Sequence, residues 1–204
     1  LDIGAEAWAG RTWALGKTTI GGDWTRNGVL STVLGEALQE KVYLCHSDIG
    51  YTHKASRNTG NFWIRHSVQR SLWSLALSGG ISVHPYGTSG TGSAEFSFYP
   101  AKGARIYAGT ARSMRLPTFT DLYYTATGYI ANDSLVPEKA TIFRSRAEYA
   151  SGPWAFSALG YVRFGTNIID WIKYPGEDVW RSMQITSMNT YGAELSARWH
   201  AAEG

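Results

Sequence analysis

Alternation of polar and apolar residues constrains this chain more than any other feature of its sequence. Between residues 142 and 149 the two parities separate cleanly: one carries Ile142, Arg144, Arg146 and Glu148, and the other carries Phe143, Ser145, Ala147 and Tyr149. Successive side chains of a β-strand point to opposite faces, so this stretch predicts a strand with one charged face and one apolar face. The pattern alone leaves open whether the apolar face meets a protein core or lipid.

The same rhythm recurs along most of the chain, separated by turns rich in glycine, proline and serine. Strands are predicted over residues 2–9, 13–25, 58–69, 73–84, 93–99, 103–112, 138–150, 154–173 and 179–200. Residues 26–57 show no sustained period, apart from a stretch resembling one helical turn over residues 35–40, and they predict a functional surface loop. The fold class predicted is all-β, an antiparallel meander of about nine strands.

Composition limits the environments and partners that are expected for this meander. Mean hydropathy is -0.22, and no uncharged apolar run approaches 18 residues, which excludes a transmembrane helix but not a transmembrane β-barrel, whose strands are only half apolar. The 23 glycines and the 14% of aromatic residues suit strands, tight turns and an interface belt. The net charge of +3 is dispersed along the chain, so no nucleic-acid partner is expected.

The lengths of the predicted connections alternate. Short connections are predicted at residues 10–12, 70–71, 100–103, 151–153 and 201–204, and longer ones at residues 26–57, 85–91, 113–136 and 174–178. Tight turns at one rim and large loops at the other are typical of an outer-membrane barrel. A soluble sandwich gives no reason for such alternation.

Four short segments carry a resemblance to a known family. They are SMRLPTFTDLYY at residues 113–124, NDSLVPEKA at 132–140, IIDWI at 168–172 and TYGAE at 190–194. In order and spacing they resemble the barrel of the TonB-dependent outer-membrane receptors, most of all the vitamin B12 receptor branch and related siderophore receptors. The first hundred residues match that family only in rhythm.

The resemblance implies a partial transmembrane β-barrel, in which residues 1–204 supply about nine of the family's 22 strands. It implies a Gram-negative outer membrane, a plug domain outside this chain, a TonB complex as energy-coupling partner, and import of a scarce ligand such as cobalamin, a siderophore, a metal chelate or a glycan. The chain is expected to be a fragment without plug or closing C-terminal strand. Its open sheet edges then predict self-association or cover by another chain.

Candidate contact residues lie in the predicted loop at residues 113–136 and on the polar face of the predicted strands. Tyr123, Tyr124 and Tyr129 could stack on a ligand, or anchor a membrane interface. Arg115 could contact a ligand, or pair with Asp121 to shape the loop. The polar-face charges expected to face the lumen and plug are Arg144, Arg146, Glu148, Glu194 and Arg198.

No catalytic constellation emerges, so the protein is expected not to be an enzyme and to need no cofactor. His84 and His200 have no evident nucleophile beside them. His46, Asp48 and His53 favour a solvated loop over a metal site, and the single Cys45 is expected to be functionally silent. The alternatives to a transporter are a passive porin, another barrel such as a barrel enzyme, and a soluble all-β ligand-binding module.

Overall fold

The computed structural model describes residues 1–44 and 48–200. Its elements in chain order are β1 Asp2–Trp13, β2 Gly16–Ser31, β3 Glu36–Tyr43, β4 Gly50–Gln69, β5 Trp73–His84, β6 Gly87–Phe98, β7 Ala104–Arg115, α1 Phe119–Tyr123, β8 Tyr129–Ile130, β9 Glu138–Ser151, β10 Trp154–Lys173 and β11 Trp180–Trp199. No helix within these described ranges is long and apolar enough to cross a membrane.

The nine long strands form one antiparallel meander, in the order β1-β2-β4-β5-β6-β7-β9-β10-β11. The short β3 pairs with β4, and β8 pairs in parallel with β11. The sheet is not closed, because β1 pairs only with β2 among the described residues. The predicted all-β meander, a partial barrel of about nine strands, is therefore confirmed.

The strand register gives the sheet two distinct faces. On the polar face one cross-strand row runs through Glu95, Gly109, Arg144, Tyr161 and Gly192. The opposite, apolar face exposes large side chains, among them Phe62, Tyr191 and Leu195 at 74%, 70% and 84%. No second layer covers these side chains in the described part of the chain. The apolar face that the sequence predicts is therefore exposed.

Three of the predicted connections are wrong, and the first two are short turns in the structure. The first turn lies at residues 14–15, not 10–12, because β1 continues to Trp13 and pairs there with Gly16. Gly16 has φ +142°, a conformation that favours glycine. The predicted loop at residues 85–91 is only a two-residue turn before Gly87, since the Gly- and Ser-rich run completes the ladder with β5. The alternation of connection lengths is therefore not strict.

The connections still differ between the two ends of the sheet. We call the end with connections at residues 14–15, 70–72, 99–103 and 152–153 the turn end. The other, the loop end, has connections at residues 32–49, 85–86, 116–137 and 174–179. Residues 201–204, predicted as a further turn, lie outside the described residues.

The segment at residues 26–57 is not the loop that the sequence predicts. Strand β2 extends to Ser31, β3 replaces the expected helical turn, and β4 begins at Gly50. Almost every residue of β3 is exposed. A strand that buries neither face needs no apolar parity, which explains why its sequence shows no period.

Three aromatic rings on the polar face lie flat over glycines. A Cβ atom added to Gly21 would come within 2.5 Å of the Trp63 ring. The Tyr107 hydroxyl covers Gly109 in the same way, and the Tyr161 ring covers Gly192 on the neighbouring strand. The absence of a side chain at these positions lets each ring lie along the sheet.

Candidate functional site

An ion pair closes the base of the loop at residues 116–137. Arg115 ends β7 and Glu138 begins β9, and the two residues are direct cross-strand partners. Nε of Arg115 donates to Oε2 of Glu138 at 2.7 Å, and Nη2 donates to Oε1 at 2.6 Å. The backbone N–H of Ile169 donates to the same Oε1 at 2.7 Å. One carboxylate therefore joins β7, β9 and β10.

The hydrogen bonds from Arg115 hold the pKa of the Glu138 carboxyl below its usual range, with a further contribution from the Ile169 amide. Glu138 lies outside the apolar band of β9. From Phe143 toward the start of the strand, the next residues on the apolar face are Thr141 and Lys139, which are polar. The same pairing raises the pKa of Arg115. Both groups are charged at neutral pH.

The helix α1 is positioned by a capping box. The Asp121 backbone N–H donates to Oγ1 of Thr118 at 3.1 Å, and the Thr118 backbone N–H donates to Oδ2 of Asp121 at 2.9 Å. Nη1 of Arg115 lies 4.0 Å from the same carboxylate. Asp121 thus stabilises the start of α1 and also contributes to the charge around Arg115.

Apolar packing holds the loop across the polar face. Leu122, Leu135 and Ile169 form a buried cluster, with Tyr86 and Tyr123 packed against it. A second attachment comes from β4. Its Arg57 donates from Nη1 to the Pro117 carbonyl, and its guanidinium lies 4.9 Å from the centre of the Phe119 ring. The loop therefore folds inward over the strands at the loop end.

The loop presents a cluster of three aromatic rings. The ring centres of Tyr124 and Tyr129 are 5.7 Å apart, and Trp171 of β10 lies 6.4 Å from the first and 5.8 Å from the second. Tyr129 is 40% exposed. Tyr123 is separate, since its ring stacks on Phe119 at 6.4 Å. We call Tyr124, Tyr129 and Trp171 the rim cluster; Trp171 was not among the predicted contact residues.

The predicted lumen-facing charges all lie on the polar face. Arg144 donates to the Tyr107 hydroxyl at 2.7 Å and to Glu95 at 2.9 Å. Glu148 lies 3.1 Å from Nε of Arg146 and 3.5 Å from Nη1 of Arg105. We call these residues the wall network: Glu95, Arg105, Tyr107, Arg144, Arg146 and Glu148.

The other two predicted charges lie on β11, the last described strand of the sheet. Glu194 is opposite Leu159, and Arg198 is opposite Ala155. Both side chains are exposed. Glu95 and Tyr107 also lie on the polar face of their strands, but they were not among the charges and rings predicted to contact the lumen, plug or ligand.

His84 lies beside a serine but is not placed to activate it. Nε2 of His84 lies 3.0 Å from Oγ of Ser89 in a buried pair, a neighbour that the sequence did not reveal. Nδ1 of His84 accepts a hydrogen bond from the Tyr86 backbone N–H at 3.3 Å, which places the ring proton on Nε2. In that tautomer His84 donates to Ser89 and cannot take up its proton.

The residues considered as metal ligands are only partly described. Cys45 and His46 lie outside the described residues, and Asp48 is exposed. Nδ1 of His53 lies 2.8 Å from Oγ1 of Thr52. Within residues 1–44 and 48–200, no three His, Cys, Asp or Glu side chains are grouped as a metal site would need.

A two-faced antiparallel meander with short turns at one end, a folded loop at the other and an uncovered apolar face is the wall of a β-barrel. The family model described as "TonB dependent receptor-like, beta-barrel" matches residues 2–203. The chain belongs to this family. No curated protein matches the chain.

Several solved structures have a similar fold at low sequence identity. The ferric enterobactin receptor PfeA from Pseudomonas aeruginosa, as its G324V mutant, has a TM-score of 0.75 at 16% identity over 100% of this chain and 34% of its own. The siderophore receptor PirA from the same organism has 0.74 at 14%, over 95% and 36%. The copper transporter OprC has 0.74 at 16%, over 99% and 36%. The chain spans about a third of the length of these proteins.

Proposed function

We propose that this chain forms part of the wall of a TonB-dependent transporter in the outer membrane of a Gram-negative bacterium. The transporter imports a scarce ligand, which is cobalamin, a siderophore, another metal chelate or a glycan. The observation that carries the proposal is the contrast between the faces within a chain of this family: the apolar face is exposed along the strands, and the polar face carries a charged network. A lipid outside and a hydrated lumen inside satisfy both faces.

We further propose that the ligand makes its first contact at the rim cluster. Tyr124, Tyr129 and Trp171 offer ring faces and edges at the loop end, with Tyr129 exposed. Such rings bind flat or hydrophobic ligand surfaces at low entropic cost. Tyr123 supports the loop from below, and Arg115 contributes the exposed half of a side chain whose other half pairs with Glu138.

The polar face is the proposed contact surface for a plug domain and for the TonB-driven movement of that plug. Arg144, Arg146 and Glu148 belong to the wall network, whereas Glu194 and Arg198 extend the charged surface along β11. The open edges of β1 and β11 pair with further barrel strands or with another copy of the chain. This role requires no catalytic residue.

Uptake measurements test the proposal in the full encoded protein. A strain that lacks the gene is complemented with wild type, with Tyr124→Ala/Trp171→Ala, or with Tyr43→Ala, which removes an exposed ring from the same end of the sheet. Labelled ferric enterobactin, cobalamin and copper are supplied in turn. One probe should be taken up by the wild type only while TonB is present.

Loss of two rim rings should lower uptake of that probe at limiting concentration by about ten-fold, while Tyr43→Ala should have little effect. Uptake that persists without TonB would indicate a passive porin instead. A protein that stays in solution without detergent would indicate a soluble binding module. Equal uptake by the double variant and the control would exclude the rim cluster as the contact site.

A further inference from the structure

One row of polar groups interrupts the apolar face near the turn end. Arg11 of β1 is opposite Thr18 of β2, and Thr18 is opposite His66 of β4. Oγ1 of Thr18 lies 2.9 Å from Nδ1 of His66. Arg11 is exposed and His66 is half-buried. An isolated cationic group on a lipid-facing surface is costly unless it meets an anionic partner.

The side chains of Arg11 and His66 both extend from this row toward the turn end. The Arg11 guanidinium lies 4.4 Å from the centre of the Trp13 ring. Nε2 of His66 lies 3.2 Å from the position that a Cβ atom of Gly16 would occupy. Trp13 and Gly16 are direct cross-strand partners. β1 and β4 are two strand spacings apart, about 10 Å, with Thr18 of β2 between them, a separation that a phosphate group bridges when both side chains bend toward it.

An apolar groove begins immediately above this row. The pair Ala9 and Ile20 is the next outward-facing pair toward the loop end. From there a groove of about 930 Å³ extends along the apolar face. Its outward-facing lining includes Ala5, Ala7, Ala9, Ile20, Trp24 and Phe62. The three alternate alanines cover about 13 Å along β1, which matches a substantial part of an extended acyl chain.

We propose that this region is a specific phospholipid site: Arg11 and His66 bind the phosphodiester of the headgroup, and the groove holds an acyl chain. The charge of Arg11 complements the phosphate, and Trp13 marks the level at which aromatic rings meet headgroups. The continuity of the polar row, which carries the charge of Arg11, with the groove favours one molecule that is anionic at one end and apolar at the other. This proposal depends on the proposed outer-membrane location of the chain but not on its proposed role in transport.

Native mass spectrometry of the full encoded protein in detergent tests the site. Phosphatidylglycerol is titrated against wild type, Arg11→Gln, Arg11→Gln/His66→Gln and Arg11→Lys. The matched control is Arg65→Gln, since Arg65 precedes His66 on β4 but lies on the polar face. Diacylglycerol provides the chains without phosphate, and glycerol 3-phosphate provides the phosphate without chains. Unchanged unfolding midpoints confirm that each variant is folded.

Arg11→Gln should bind phosphatidylglycerol about five-fold more weakly, the double variant should be weaker still, and Arg11→Lys and Arg65→Gln should stay close to wild type. Equal binding by Arg11→Gln and Arg65→Gln would overturn the site. Equal binding of diacylglycerol, or full competition by glycerol 3-phosphate, would overturn a phospholipid as the occupant. A dimer that forms only without lipid and buries this face would assign it to a second copy. Failure here with intact uptake would leave the proposed transport function standing.

Discussion

The ion pair at the loop base and the wall network use the same residue types in different surroundings. The Glu138 side chain is 9% exposed and accepts three hydrogen bonds of 2.6 to 2.7 Å. The side chains of Glu95 and Glu148 are both 33% exposed, and their contacts with arginine range from 2.9 to 3.5 Å. Burial, rather than the presence of an arginine partner, separates the two regions.

The difference in burial indicates that the loop base has a structural role, whereas the wall network is a surface available to other partners. Removal of the Glu138 charge leaves the buried Ile169 N–H with a weaker acceptor, which is costly. The exposed pairs of the wall network exchange their contacts with water at little cost. We therefore expect the loop base to determine stability and the wall network to remain free to change partners.

The largest effect is expected from Glu138→Gln. The amide keeps the shape of the side chain but loses the bidentate, charge-assisted pair with Arg115, so the free energy of unfolding should fall by about 2 kcal/mol. Urea unfolding in detergent, followed by tryptophan fluorescence, measures the change. Glu148→Gln is the matched control on the same strand and should cost less than about 1 kcal/mol. Equal losses in both variants would remove the distinction between the two regions.

A smaller effect is expected from acidification. The pKa of Glu138 is lowered in the folded state, so its stabilising contribution is complete above the pKa of an unfolded glutamate and is lost as the pH falls through the folded value. Stability should therefore decline below about pH 4.5, the usual glutamate value. Unfolding midpoints recorded between pH 7 and pH 3 should show a steeper decline for wild type than for Glu138→Gln. Parallel curves would contradict this assignment.

The smallest effect is expected within the wall network. Glu95→Gln and Arg144→Gln, made singly and together, form a double-mutant cycle for the 2.9 Å contact between these residues. The coupling should be no more than about 0.5 kcal/mol because both groups are substantially exposed. A coupling as large as the loss in Glu138→Gln would show that the wall is as tightly constrained as the loop base.

Alternation predicted the strands well where one face must be apolar. The strand predicted over residues 154–173 coincides with β10, and residues 138–150 are β9 to within one residue. The turn predicted at residues 10–12 failed because Gly10 resembles a turn residue but lies within the ladder, opposite Thr19. Turn propensity is a local signal, whereas the pairing of β1 with β2 is decided by the whole ladder.

The candidate site was harder to predict from the sequence than the strands were. The pairing of Arg115 with Glu138 could have been anticipated, since one ends a strand and the other begins the next on the same face. Trp171 lies on the polar face by the same alternation, since the register of β10 with β11 is unchanged across Asn167. Nothing in the sequence, however, places the loop residues Tyr124 and Tyr129 beside it. The rim cluster therefore depends on the path of the loop, which strand alternation does not predict.

The rings that lie over glycines limit how far the polar face rises above the backbone of the sheet. Tyr161 over Gly192 and Trp63 over Gly21 add their thickness to the wall, not their length. A side chain at either glycine would clash with the ring as it is placed, so the ring would have to turn away from the sheet. The two glycines thus let large aromatic residues cover the polar face without standing out from it.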